Sequence, residues 1–189
     1  MNLWKYYDGN LKYPNVTMYS HEKEIAKAIA KSNPKWAFEY ALKHGKDEEL
    51  EPIIAKNTKY SYMYADKVLS DEFKLGEPAI AKDMDFSYWY AKYILKDKFP
   101  LGEPAIAKDA YYSYLYALDV LEGPFKLGEP EIAKFTKHSF LYAKLIINKP
   151  FSLGEPEIAK DEYYSKKYTK EVLKKDFYLD GKLICKYKG

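Results

Sequence analysis

Hydrophobic and polar letters follow a helical period along most of this chain. Residues 102–127 read GEPAIAKDAYYSYLYALDVLEGPFKL. At 100° per residue, Tyr112, Tyr116 and Val120 share one face, with Ser113, Ala117 and Leu121 beside them. The small Ser and Ala places let a neighbouring helix approach closely, as ridges packing into grooves require. Asp109 stands where an N-cap acceptor is needed, and Gly123 with Pro124 stops the helix. Upstream, Gly102 permits a turn and Pro104 suits the first turn of a short helix over 105–108. The segment predicts a short helix, a longer helix and a loop.

The same letters recur. KLGEPAIAKD at 74–83 returns at 100–109, 126–135 and 152–161, with Gly76, Gly102, Gly128 and Gly154 each 26 residues apart. Pro52 precedes Pro78 by the same interval, so 50–57 is an earlier copy with Leu50 in the glycine place. KLICK at 182–186 reads as the opening of one more. A fixed period of about 20–50 residues indicates stacked repeats. Each copy is too small to bury its own apolar face, and stacking buries it. The expected fold is all-α: a right-handed α-solenoid of two-helix, 26-residue repeats with terminal caps. Long helices are predicted near 59–69, 85–96, 111–122, 137–148 and 162–174.

Three regions follow: a cap and divergent first repeat over 1–49, five tandem repeats over 50–179, and a half-repeat cap over 180–189. In the first, Trp36 and Tyr40 fill tyrosine places, and 1–20 reads as an irregular or hairpin cap with an Asp8-Gly9 turn. In the last full copy Lys166, Lys167 and Thr169 replace Tyr114, Leu115 and Ala117, which predicts a polar outer face tolerant of change. Cys185, in an alanine place, is expected to be a small packed thiol.

The string GEP-x-IAKD-x-x-YSY-x-YA-x-x-VL over 50–179 resembles tandem helical repeats in hypothetical proteins of large tailed phages and some bacteria. The resemblance implies a short α-solenoid and an accessory or counter-defence role, and it transfers no catalytic residues. The copy with Phe135, Thr136, Lys137 and His138 departs most from the pattern.

Composition narrows the function classes. All 31 basic residues are lysine and the net charge is +3. Without arginine forks, sequence-specific DNA reading is not expected. A single cysteine fits a reducing cytoplasm, the host's if the chain is phage-encoded. No apolar run of about 18 residues is present, so no membrane span is expected, and the opening letters lack the apolar core of a signal peptide. His21, His44 and His138 form no HExxH pair, and no phosphate-binding glycine motif or GxSxG occurs. The expectation is therefore a non-enzyme without cofactor or metal.

Two patterned series remain. Lys56, Lys82, Lys108, Lys134 and Lys160 form a basic ladder, each five residues after a glutamate that precedes proline. Glutamate at a helix start and lysine at its end suit the helix dipole. Met63, Trp89, Leu115 and Leu141 recur at a place pointing away from the packing arc. With Tyr93, Leu118 and Leu145 they predict an exposed apolar stripe, the kind of surface that meets a protein partner or a second copy. The other expectation is a Tyr- and Lys-lined groove between repeats that sequesters a nucleotide signal.

Overall fold

The structure, a computed structural model, describes residues 20–188, with side chains from Lys23 onward. It is mostly helical, and the cap expected over 1–20 lies almost wholly outside the described residues. The chain divides into two compact units between Ile80 and Ala81.

The first unit carries α1 (Ser20–Ala30), α2 (Pro34–His44), α3 (Glu51–Ile54), α4 (Thr58–Tyr64) and α5 (Glu77–Ile80). Asn33 and Asn57 cap α2 and α4, each side-chain oxygen accepting the N–H three residues on, from Trp36 at 3.0 Å and Tyr60 at 3.1 Å. α4 ends in a π-helical turn, Ala65–Leu69. The second unit carries α6 (Met84–Trp89), α7 (Glu103–Ile106), α8 (Ala110–Asp119), α9 (Glu129–Ile132), α10 (Thr136–Tyr142), α11 (Glu155–Ile158) and α12 (Glu162–Tyr168). α6, α10 and α12 run on into π turns at Tyr90–Leu95, Ala143–Ile147 and Thr169–Leu173. Asp83, Asp109 and Asp161 cap α6, α8 and α12 as their spacing predicts. Phe135 leaves α10 without a side-chain cap.

The long helices that begin at α4, α6, α8, α10 and α12 each close on a residue in the left-handed region: Ser70, Lys96, Glu122, Asn148 or Lys174. Only one of the five is asparagine and none is glycine, so side-chain sterics oppose this conformation at four of them. The wide last turn imposes it.

The core is built from letters that recur every 26 residues. Tyr64, Ile54 and Ser61 are fully buried in the first unit; in the second, so are Tyr90, Tyr116, Tyr142 and Tyr168 with Ile106, Ile132 and Ile158. Each buried tyrosine ring meets a buried phenylalanine nine residues on, as Tyr116 meets Phe125 at 5.0 Å between centroids and Tyr168 meets Phe177 at 5.3 Å. The serine hydroxyls donate to isoleucine carbonyls seven residues earlier, Ser113 to Ile106 at 3.1 Å and Ser139 to Ile132 at 3.1 Å. This bond ties each long helix to its short one, so a buried polar group is satisfied and not merely tolerated.

The recurring glycines stand where a Cβ has no room. A methyl on Gly102 would lie 2.4 Å from the Phe99 ring and 2.7 Å from Ser87 Cβ, and one on Gly128 would lie 2.6 Å from Ser113 Cβ. Small serine and absent side chain are one contact, which is why both letters recur.

The half-repeat expected over 180–189 does not form. Phe177–Leu179 (β1) and Lys182–Cys185 (β2) pair as an antiparallel hairpin. Asp180 and Gly181 both take positive φ, 49° and 75°, as a two-residue hairpin turn requires. They stand in the Gly and Glu places of the repeat, and Lys182 stands in the proline place, so nothing starts a short helix there. Cys185 is half-buried on β2 and is not a packed thiol in a helix.

Candidate binding surfaces

The apolar stripe is less exposed than helical geometry alone suggests. Met63, in the first unit, is half-buried, as are Trp89, Leu115, Leu118 and Leu141 in the second. Only Tyr93 and Leu145 stand well out, at 55% and 47%. Trp89 packs edge-on to Phe86 at 5.5 Å, and Lys167, at the end of the series, lies 4.8 Å above the Tyr163 ring. Five apolar residues of the stripe thus sit in partial contact with their own fold.

Two of its members belong to a series of paired places. Lys92 Nζ stands 2.8 Å from Asp119 Oδ2 and donates to Tyr88 Oη at 3.0 Å, and the Tyr88 hydroxyl donates to the same carboxylate. Tyr88 is buried. Burial, then the Asp119 hydrogen bond, pushes its hydroxyl up to about 12. Burial alone would raise the Asp119 carboxyl; the Lys92 and Tyr88 hydrogen bonds outweigh it and hold the group below its ordinary value. Lys144 and Glu171, each 52 residues further on, pair at 2.6 Å. The places between hold Leu118 and Leu145. Charged, apolar and charged pairs therefore alternate, and the tyrosine-rich cluster is spent on internal bonding.

All five lysines of the basic ladder are exposed. Lys134 and Lys160 bond Glu131 and Glu157 on their own short helices. Lys56, Lys82 and Lys108 have no such partner among the described residues. Lys56 belongs to the first unit and the others to the second.

A second apolar series escapes the sequence reading. In the second unit Leu101, Leu127 and Leu153 are 52%, 53% and 53% exposed, and in the first Leu75 is equally open. Each stands one residue before the buried glycine of LGEP. The signal was the recurrence itself. The places of Tyr111, Lys137 and Tyr163 vary, whereas this leucine recurs in the four LGEP copies, its place in the earlier copy being Glu49.

The second unit carries a cleft of about 670 Å³ between the last helix and β2. Ser165, Thr169 and Lys170 line it from the helix side, and Cys185, Lys186 and Lys188 from the strand side. Thr169 is only 2% exposed, against the polar outer face expected of it, and its hydroxyl has no partner. No helix among the described residues is long and apolar enough to cross a membrane, and no three metal-ligating side chains gather among them. Comparison with protein-family models, with curated proteins and with solved structures finds no match.

Proposed function

We propose that this chain is a non-catalytic binding protein, a short α-solenoid whose repeated units present a periodic apolar surface to a protein partner or to a second copy. The observation that carries this reading is the half-exposed leucine at Leu101, Leu127 and Leu153. It recurs at 26-residue spacing through three copies of the second unit, and exposed apolar side chains that join into one patch mark interaction surfaces. Tyr93 and Leu145 add exposed anchors on the long helices. The resemblance to repeats of large tailed phages extends the proposal to an accessory or counter-defence role in a host cytoplasm.

The test is a triple variant, Leu101→Ser, Leu127→Ser and Leu153→Ser, compared with wild type by light scattering and by affinity capture. Because these side chains are half in water, the variant is expected to melt within a few degrees of wild type. It is expected to lose self-association or the captured partner. Association that survives all three changes removes the reading.

A second reading, sequestration of a nucleotide signal, draws on the lysine-lined cleft beside β2, whose ligand chemistry is argued next.

A further inference from the structure

We propose that the cleft between the last long helix and β2 binds a small, multiply charged phosphate anion. Its volume, about 670 Å³, falls within the range of small-ligand sites, about 300–1,000 Å³. Five lysines line it against a single carboxylate, Glu162. Lys160 and Lys166 are engaged by Glu157 and Glu162. Lys170, Lys186 and Lys188 face the cleft with no acidic partner among the described residues. Like charges gathered around one hollow repel, and a bound anion relieves them. Lysine takes phosphate as a point charge and needs no arginine fork.

The independent observation is Thr169. Every earlier copy has alanine at this place: Ala65, Ala91, Ala117 and Ala143. Packing therefore asks only for a methyl group. The one hydroxyl in the series lines the cleft, is buried, and has no hydrogen-bond partner. The neighbouring Ser165 hydroxyl is already donated to the Ile158 carbonyl at 2.9 Å. An orphaned buried hydroxyl is costly unless something else completes it, and a phosphate oxygen is the acceptor that the surrounding lysines would hold there. Tyr187 also lines the cleft on the strand side, an aromatic residue of the kind on which a base attached to the phosphates could stack.

Isothermal titration calorimetry with pyrophosphate and with metal-free ATP, at fixed ionic strength, tests this. Saturable binding at one site per chain is expected. The Lys170→Gln, Lys186→Gln double variant should weaken it by about tenfold or more. Thr169→Ala should weaken it without lowering the melting temperature, which separates a lost ligand contact from a lost fold. A control pair on the exposed ladder, Lys108→Gln with Lys134→Gln, should bind as wild type does. Equal affinity for the two probes means the phosphates alone are read; tighter ATP binding that Tyr187→Ser abolishes means the base is stacked as well. Absence of saturation, or equal weakening in cleft and control variants, overturns the proposal. The leucine triple variant should bind the anion normally, so this site and the leucine surface stand or fall separately.

Discussion

Tyr116 lies 13 residues after Glu103 and donates its hydroxyl to that carboxylate at 3.0 Å, while the same oxygen accepts the Phe99 N–H at 2.8 Å. A fully buried ring thus carries a fully used polar tip. The arrangement recurs with Tyr142, Glu129 and Phe125, and with Tyr168, Glu155 and Phe151. Burial, with Glu103 nearby, pushes the Tyr116 hydroxyl far above the ordinary tyrosine range. Tyr116→Phe keeps the ring but strands the Phe99 N–H. The expected cost is about 1–3 kcal/mol, read from urea denaturation. Tyr111→Phe, on an exposed ring, should cost almost nothing.

Thr169 separates two ideas of how the last copy ends. Because it is buried beside the cleft, Thr169→Leu should destabilise by about 1–3 kcal/mol, as overpacking a close contact does. Ala117→Leu should do the same. Thr169→Ala removes an orphaned hydroxyl and should leave the melting temperature equal or higher. Tolerance of leucine at 169 would show that the place is open after all.

His138 replaces an aromatic residue of the repeat, packs near the rings of Tyr111, Tyr114 and Phe135, and has a buried Nδ1 without a partner. Burial and Lys137 lower its affinity for protons below the ordinary 6.5, against a smaller opposite pull from Asp109. A depressed folded value means that the unfolded chain binds the proton first. Stability is therefore full above about pH 6.5 and declines as pH falls through the folded value. His138→Phe, matching Phe86, should flatten that part of the profile and raise stability at pH 7 by about 1 kcal/mol. Thermal melts from pH 7 to pH 5 check both; parallel curves for the two proteins would refute the assignment.

Lys92 and Asp119 are a matched pair whose neighbours in the series are both leucine. Asp119→Leu alone leaves Lys92 and the Tyr88 hydroxyl without their acceptor and should destabilise. Lys92→Leu added to it should recover most of the loss, because a well-packed apolar pair often replaces an ion pair without penalty. A double-mutant cycle should give a coupling of about 1 kcal/mol or more. Additive single effects would mean that the pair contributes nothing as a pair.

Much of this was legible in the letters. Proline at 52 or 104 and the cap residues Asn57, Asp109 and Asp161 mark helix starts within a residue or two, because those signals act locally. The hydroxyl bonds between Tyr116, Glu103 and Phe99 were not legible. They depend on how a short helix tilts against a long one, which periodicity does not encode. The stripe through Leu115 and Leu118 is half-buried, although both lie in the regular part of α8, because these side chains rest against their own fold, which helical spacing alone does not encode. The hairpin is marked by Asp180-Gly181 between two short apolar runs, a signal that the repeat frame through KLICK overrides. Leu101, Leu127 and Leu153 are not legible as exposed from the letters, because each stands in a turn just before a short helix, where no helical period assigns a face.

The alternation of charged and apolar pairs makes the copies unequal under recombination. Excising one 26-residue period between Lys92 and Asp119 would bring the Leu145 place opposite Lys92, an ammonium against a hydrocarbon. Excising two would bring Glu171 opposite it and restore an ion pair. Between Lys92 and Glu171 the copies therefore have a parity: loss of two keeps a charged pair opposite Lys92, and loss of one does not.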